Sequence, residues 1–554
     1  MWNQTYLLFG HGLGFSFVLA ALPIVTLLLL LGVMRKPAWI AGMAGLGVAL
    51  LLATLAYGMP VGTALSAAAN GAAFGLFPIS WIVFWAITLF RVSVETGQFE
   101  VIKESIGQLT PDPRLQALLI AFAFGAFVEG AAGFGTPVAI AATMLIGLGF
   151  SPFAASAICL LTNTAPVAFG SIGIPIITLA GTTGLSANKL SAAIGDICAP
   201  VALFVPLYLM LAMGGVRVMS GIGLPVMVAG AVFALAQFSV SNFVGPQLTD
   251  IVDSVATMVA LVVLFKFWKP KAPADAGVLM RFMRRDADGG VDASVAVEER
   301  VLRHYSAGRV LYAWMPYVFL VTFVLLWGWA PMQPWLAKGT VLIKWPGLHD
   351  VVMRMPPVVP AVSPYHAVFT LNMFAASGTA CMMATLLTVV FFRMKPSAFG
   401  RLLVGVVRQL LLPTVTIASV IGMAFLMNYC GATATLGLAL ATTGAAFPFF
   451  SAFLGWIGVF LTGSDTSANA LFGNLQVVTA QHLHFDPVLM AGGNSSGGVM
   501  GKMISLQTIA VAAAATGLTV PDQAKLFRFT LRHSLVLVTV TGGIVLLYAY
   551  TLHF

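Results

Sequence analysis

Apolar stretches of 18 or more residues recur along this chain, and they constrain its fold more than any other feature. The first is about Leu13–Val33, and the last is about 534–552. A stretch of this length and composition is typical of a transmembrane helix. Only 8% of the 554 residues are charged, against about 25% in soluble proteins. The sequence therefore predicts an all-α polytopic membrane protein that lies in a lipid bilayer.

Short basic loops predict the orientation of the spans. Arg35 and Lys36 follow the first apolar stretch, Arg217 lies between two later ones, and the polar segment 269–309 has eight Lys/Arg against six Asp/Glu. Basic loops favour the cytoplasmic side, which puts both chain termini on the outer side of the membrane. Because the net charge of +9 comes largely from such loops, it does not indicate a nucleic-acid partner.

Two interrupted apolar segments are predicted to be re-entrant helical hairpins. Segment 115–148 contains "VEGAAGFGTP", and segment 443–480 contains "LTGSDTSANALFGNLQ". A single crossing by 115–148 would put Arg217 and the basic linker outside. Two full crossings would leave about 16 residues each, about 24 Å of helix, for a hydrocarbon core of about 30 Å. A hairpin satisfies both constraints, and the same reasoning makes 443–480 a second hairpin that enters from the opposite side.

The two hairpins lie in an internal repeat of opposite orientation. Pro78 precedes Glu129 by 51 residues, and Pro413 precedes Asp465 by 52. Each hairpin is followed by an Asn-containing apolar segment, "TNTAP" in the first half and "GNSSGG" in the second. Inverted repeats with interrupted helices are typical of secondary transporters. We therefore predict about 12 full spans plus two re-entrant hairpins in an inverted-repeat secondary transporter.

The predicted organisation has five parts. They are a two-span segment 1–71, a first transport repeat 72–268, a cytoplasmic linker 269–309, a two-span segment 310–400 and a second, inverted repeat 401–554. Within 310–400, a Pro-rich outer loop separates a span at about 310–330 from one at about 364–392.

The interruptions predict a binding site for a small carboxylate. A helix that breaks inside the bilayer exposes backbone N–H groups, which carry partial positive charge and bind anions. Glycine permits close approach, and hydroxyl and amide side chains add neutral donors. The predicted substrate-binding residues are Gly130, Gly133, Thr136, Asn163, Thr164, Ser464, Thr466, Ser467, Asn494, Ser495, Ser496 and Lys502. The alternatives are that the polar side chains bridge helices and that Lys502 forms a structural ion pair.

Three carboxyl groups are candidates for proton coupling: Glu129 first, with Asp465 and Asp196 after it. A charge at bilayer depth costs several kcal/mol, and burial favours the neutral form of a carboxyl group. The alternatives are that Glu129 caps the hairpin turn and that Asp465 is the N-cap of a helix beginning at Thr466. The histidines show no metal-ligand spacing, so we predict no metal and no cofactor.

Long stretches of the chain resemble one known family, the lactate permeases of bacterial inner membranes. The resembling stretches are "SVETGQFEVIK" at 93–103, "FGAFVEGAAGFGTPVAI" at 124–140, "LTNTAPVAFGSIGIPI" at 161–176, "TGSDTSANALFGNLQ" at 462–476 and "GNSSGGVMGKMIS" at 493–505. The resemblance covers essentially the whole chain. It implies uptake of L-lactate, D-lactate or glycolate coupled to protons.

Together these observations predict a proton symporter for small 2-hydroxymonocarboxylates rather than an enzyme. A sodium-coupled carboxylate or dicarboxylate carrier is the alternative, since the same loops could bind the ion through their carbonyl groups. An intramembrane enzyme would need a nucleophile with a base, or a metal motif such as H-E-x-x-H, and neither occurs in the sequence. The sequence does not distinguish among the three substrates, and a homodimer is one option for the oligomeric state.

Overall fold

The computed structural model describes residues 1–133, 135–269, 305–329 and 331–551, and most of its elements are helices. Eleven of the described helices are long and apolar enough to cross a membrane, or twelve if one bent pair counts as a single span. This confirms the predicted class of a polytopic α-helical membrane protein. Most of the predicted linker 269–309 lies outside the described residues.

The helices are numbered in chain order. In the first half they are α1 (Leu13–Val33), α2 (Ala38–Ala56), α3 (Val61–Glu95), α4 (Gln98–Gly107), α5 (Pro113–Ala131), α6 (Thr136–Gly147), α7 (Pro152–Thr162), α8 (Val167–Thr183), α9 (Ala187–Gly214), α10 (Gly223–Phe243) and α11 (Thr249–Phe267). In the second half they are α12 (Ala307–Gly328), α13 (Gln333–Ala337), α14 (Ser377–Phe391), α15 (Pro396–Cys430), α16 (Ala432–Leu440), α17 (Phe447–Thr462), α18 (Asp465–Leu483), α19 (Pro487–Lys502), α20 (Leu506–Thr516) and α21 (Val520–Thr551).

Two helix pairs correspond to the predicted hairpins. Helices α5 and α6 enclose the turn in segment 115–148, and α17 and α18 are joined by two residues within 443–480. Helix α6 has 12 residues, about 18 Å, which is well short of a hydrocarbon core of about 30 Å. This length fits a helix that ends inside the bilayer, and re-entry itself stays a prediction.

Each hairpin is followed by an interrupted helix. Helices α7 and α8 are bent by 66° across a four-residue break, and Ser171, Ile172 and Gly173 near the start of α8 have left-handed backbone angles. Helices α19 and α20 are separated at 503–505, where Ser505 caps α20 by accepting a hydrogen bond from the Thr508 N–H. Both interruptions lie at buried positions.

The interrupted helices pack across the two halves of the chain. Helix α8 packs on α18, and α20 packs on α6. The Asn469 amide of α18 donates to the Pro175 carbonyl of α8 at 3.3 Å, and the hydroxyls of Ser156 in α7 and Thr516 in α20 are 3.1 Å apart. The two hairpin turns and the two breaks are therefore brought into one region.

Glycine allows α17 and α19 to touch through their backbones. A Cβ atom at Gly455 would lie 1.8 Å from the Asn494 carbonyl oxygen, and one at Gly501 would lie 2.4 Å from the Trp456 carbonyl oxygen. Small residues give membrane helices this close approach. The contact fixes the first arm of the second hairpin against the interrupted helix that follows it.

The segment between α12 and α14 contains short strands. They are β2 (Val341–Lys344), β3 (Val352–Arg354), β4 (Ser363–Pro364) and β5 (Val368–Leu371), and β3 also pairs with the N-terminal β1 (Trp2–Asn3). The prediction of a span from about 364 was wrong at its start, since α14 begins at Ser377. Residues of β5 alternate in exposure, as in a half-buried strand.

Candidate functional site

The turn between α5 and α6 is shaped by glycine. Gly133 and Gly135 have φ angles of 58° and 80°, in the left-handed region that glycine adopts without a Cβ clash. The Thr136 hydroxyl donates to the Gly133 carbonyl, and Glu129 lies in the last turn of α5. The turn therefore brings together several of the residues that the sequence predicted for the site.

Replacing Gly133 with alanine is expected to destabilise this turn. The new methyl group would lie 1.9 Å from the Ser171 hydroxyl oxygen, and the left-handed backbone disfavours any Cβ atom. Strain of this kind costs about 1–3 kcal/mol, which should lower the melting temperature of the purified protein in detergent. Gly147→Ala is the matched control, because no atom of the described residues lies within 4 Å of a Cβ there. Equal melting temperatures for the two variants would contradict the close contact.

The turn of the second hairpin presents Asp465 at the start of α18. Ser464 is the N-cap, and its hydroxyl accepts a hydrogen bond from the Ser467 N–H at 3.3 Å. The alternative that Asp465 is the N-cap is therefore wrong. Since Ser464 already serves the helix end, the Asp465 side chain is left for contacts with the rest of the site.

Asp465 belongs to a buried network of amides and hydroxyls. Its Oδ2 atom accepts hydrogen bonds from the Ser495 hydroxyl at 2.7 Å and the Asn469 amide at 3.2 Å. The Asn494 amide donates to Asn469 Oδ1 at 2.9 Å. Asp465 Oδ1 and the Ser496 hydroxyl are buried and have no hydrogen-bond partner in the described part of the chain. The network holds the carboxyl group in position and leaves one oxygen and one hydroxyl for a ligand.

Lys502 connects the two hairpin turns electrostatically. Its ammonium group is buried at the end of α19 and donates to the Gly463 carbonyl at 3.1 Å. The charge acts on both the Asp465 and the Glu129 carboxyl groups. The sequence left open that Lys502 forms a structural ion pair. The structure does not contain one: among the described residues, no carboxylate oxygen lies within 4.0 Å of the Lys502 ammonium group.

Glu129 is buried between the first turn and the first interrupted helix. A Cβ atom at Gly170 would lie 2.8 Å from Glu129 Oε1, and the Asn163 side chain is adjacent to the carboxyl group. Beyond this contact between the two side chains, Glu129 Oε2 and the Asn163 amide have no hydrogen-bond partner among the residues described. Buried polar groups are nearly always paired, so several unpaired ones together indicate room for a ligand or a proton. A turn-capping role for Glu129 receives no support from these contacts.

Two carboxyl groups that sequence reasoning missed lie next to Glu129. Asp250 and Asp253 of α11 are fully buried, and none of their four carboxyl oxygens has a hydrogen-bond partner within the described ranges. The charges of Glu129 and Asp253 both act on Asp250. A Cβ atom at Gly130 would lie 2.7 Å from Asp250 Cβ, so this glycine lets α5 and α11 approach. The signal was present in "TDIVDS", where two carboxyl groups on one helix face interrupt an apolar stretch.

Other predicted residues contribute less directly or lie elsewhere. The Thr164 hydroxyl donates to the Leu161 carbonyl at 2.7 Å, which occupies it within its own helix end. Thr466 and Ser467 are partly exposed on the first turn of α18. Asp196 is half-buried on α9 and accepts a hydrogen bond from Asn242 of α10 at 3.0 Å. The structure therefore does not bring Asp196 into contact with the hairpin turns.

Comparison with known proteins identifies the family. The family model described as L-lactate permease matches residues 16–552. The L-lactate permease of Salmonella typhimurium is 43% identical over 558 residues, covering 100% of this chain and 99% of the relative. Glycolate permease GlcA of Escherichia coli is 41% identical, covering 99% of this chain and 98% of the relative. A solved structure of Neisseria gonorrhoeae MtrF is 13% identical and aligns over 87% of this chain and 83% of that one with a TM-score of 0.45, too low for detailed comparison. The full-length matches show that this chain belongs to the L-lactate permease family.

Proposed function

We propose that the protein imports lactate and related 2-hydroxymonocarboxylates such as glycolate by proton symport. The names of its relatives support the substrates. The observation that supports proton coupling is the charge balance of the site. Four buried carboxyl groups contribute to it: Glu129 and Asp253 act electrostatically on Asp250, and Asp465 lies at the second turn. Against them, Lys502 is the cation that acts on Glu129 and Asp465 within the described part of the chain.

This surplus of carboxyl groups links proton binding to anion binding. A buried charge without a partner costs several kcal/mol, and like charges in a medium of low dielectric constant repel strongly. A lactate anion entering a site with ionised carboxylates would add to the repulsion. Protonation of one of them removes a negative charge and raises the affinity for the anion. By linkage, the bound anion raises the affinity for the proton, so both are carried together.

Donors for the substrate surround this charge. The Asn163 amide and the Ser496 hydroxyl are buried without partners in the described residues. Lys502 supplies a positive charge at the second turn. An amide can donate to a carboxylate and accept from a 2-hydroxyl group, which is the pair of functional groups that lactate and glycolate share. This complementarity supports a small 2-hydroxymonocarboxylate as the substrate.

Proton coupling also supplies the driving force. Moving an anion inward against an inside-negative potential costs about 2.3 kcal/mol per charge per 100 mV. A proton carried with each lactate cancels this charge and adds the driving force of the pH gradient.

We further propose an inner-membrane location with periplasmic termini, re-entrant hairpins, and transport repeats 72–268 and 401–554 in inverted orientation. A homodimer is compatible with this proposal.

Uptake into proteoliposomes tests the coupling ion. With lactate outside and an inward pH gradient, labelled lactate is expected to accumulate above its external concentration in sodium-free buffer. A proton ionophore should abolish the accumulation, while an inward sodium gradient at equal pH should produce none. Accumulation that needs sodium would replace the proposal with the sodium-coupled alternative.

Competition tests the substrates. Excess unlabelled lactate or glycolate should compete with labelled lactate for uptake, and a lack of competition would exclude these substrates.

A further inference from the structure

Sequence spacing predicts no metal site, but the fold brings two distant histidines together in the segment between α12 and α14. His349 and Asp350 precede β3, and His366 lies between β4 and β5. One nitrogen of each imidazole and one carboxylate oxygen of Asp350 all lie within 4.8 Å of one another. His349 Nε2 is 3.1 Å from Asp350 Oδ2, and His366 Nδ1 is 2.5 Å from Asp350 Oδ1.

The separations suit a small divalent ion. Zn²⁺ binds imidazole nitrogen and carboxylate oxygen at about 2.0–2.2 Å, which puts neighbouring ligands of a tetrahedral site about 3.3–3.6 Å apart. The three side chains are near this arrangement already, so only small rotations are needed. A water molecule would complete four ligands. Imidazole with carboxylate is a ligand set that zinc accepts, whereas Ca²⁺ and Mg²⁺ require oxygen ligands.

Surrounding groups orient the ligands. His349 Nδ1 lies 3.2 Å from both the N–H and the carbonyl oxygen of Ala367. In the tautomer that carries its proton on Nδ1, the imidazole donates to the carbonyl and Nε2 is free for a metal. Asp350 has a φ angle of 58°, an uncommon left-handed conformation for a residue other than glycine. In this conformation its two carboxylate oxygens reach the two different imidazoles. A metal ligand held by a backbone carbonyl is the usual outer-shell arrangement.

The cluster lies at the rim of a cavity. The cavity has a volume of about 460 Å³ and reaches from His366 and Phe369 to Pro78 of α3, Thr182 of α8 and Asn428 of α15. The Tyr429 hydroxyl donates to the His366 carbonyl at 3.2 Å, and the Asn428 amide donates to the Thr182 carbonyl at 3.3 Å. The rim residue is therefore connected to the ends of α15 and α8.

We propose that His349, Asp350 and His366 form a site for a divalent transition-metal ion, best suited to Zn²⁺, and that the bound ion restrains the cavity rim and slows uptake. The ion links the turn before β3 to the strand segment after it. Because that rim is hydrogen-bonded to helix ends that line the cavity, holding it fixed opposes any movement that opens the cavity. The metal-binding part is independent of the proposed transport function.

Calorimetric titration of Zn²⁺ into the purified full-length protein, prepared with a tag that contains no histidine, tests binding. One ion per chain with micromolar affinity is expected. His366→Ala and His349→Ala should each weaken binding at least tenfold, and His366→Gln offers a milder variant if either fails to fold. His11→Ala is the matched control, because His11 is exposed and outside the cluster. All four cysteines are buried, so they do not compete for the ion. Absence of binding, or equal binding by the His366 variants and His11→Ala, would overturn the site.

Proteoliposome uptake tests the restraint. Saturating Zn²⁺, added on the side of the membrane that carries the His349–Asp350–His366 cluster, is expected to lower the initial rate of lactate uptake several-fold for the wild type and for His11→Ala. The His366→Ala rate should be unchanged by the ion. Binding with the expected stoichiometry but with no change in uptake would remove the restraint and leave the metal site. A failure of lactate uptake in all samples would bear on the proposed function and not on the calorimetric result.

Discussion

Glu129→Gln is expected to abolish the accumulation of lactate driven by a pH gradient while preserving lactate exchange. Glutamine has nearly the same shape as glutamic acid and is always neutral, so the variant resembles the protonated site. Because that form is the one that accepts the anion, exchange of labelled for unlabelled lactate should continue. Net uptake should stop at equal concentrations inside and outside. Counterflow and pH-driven uptake, measured on the same proteoliposomes, separate the two activities.

The matched control for this experiment is Glu95→Gln. Glu95 is an exposed carboxylate at the end of α3, so its neutralisation should leave both activities at the wild-type level. If Glu129→Gln still accumulates lactate fully, Glu129 does not carry the proton. The buried neighbours Asp250 and Asp253 would then be the next carboxyl groups to replace with asparagine.

Lys502→Met is expected to remove both accumulation and exchange, in contrast to Glu129→Gln. Methionine keeps most of the apolar length of lysine but removes the charge that acts on Glu129 and Asp465. A hydrogen bond from the ammonium group to the lactate carboxylate would contribute about 1.5–3 kcal/mol to binding, and a tenfold change corresponds to about 1.4 kcal/mol. Labelled lactate counterflow should therefore fall by more than a factor of about ten. The bond to the Gly463 carbonyl is lost as well.

Lys525→Met is the control for this variant. Lys525 is largely exposed on α21 and pairs with Asp522 at 3.4 Å, so its replacement removes a lysine charge at the surface and outside the site. Such pairs contribute little to stability, about 1 kcal/mol or less. Wild-type counterflow by Lys502→Met would show that the ammonium group does not serve the anion. Both variants should be monodisperse in detergent, which would show that a loss of counterflow is not caused by misfolding.

The sequence predicted the helical class, the positions of the two hairpin turns and most of the buried polar side chains around them. Long apolar runs and their interruptions are local features, so they are visible without a structure. The close contact of Asp250 with Glu129 is different, because it depends on α11 packing against α5 over Gly130. The carboxyl pair itself was visible in the sequence, and the criterion applied to Glu129 would have selected it.

Two further differences have local causes. The N-cap of α18 is Ser464 and not Asp465, because the helix begins one residue earlier than expected. A serine hydroxyl caps a helix as well as a carboxylate does. The strand β5 was taken for the start of a span because its residues are apolar. Its alternating exposure depends on pairing with β2, some 25 residues earlier in the chain by numbering. The side-chain pattern alone therefore did not separate it from the helix that follows.

The packing of each interrupted helix on the opposite hairpin has a consequence for engineering this protein. A Cβ atom at Gly473 of α18 would lie 2.4 Å from Cδ1 of Leu179 in α8, so a larger residue there requires the Leu179 side chain to move. Val511 of α20 faces Gly135 at the first turn, where a Cβ atom would lie 3.5 Å from it, in ordinary van der Waals contact. Libraries meant to enlarge the substrate range should therefore vary positions from both halves at once. A larger residue selected in one half would press on side chains that the other half contributes.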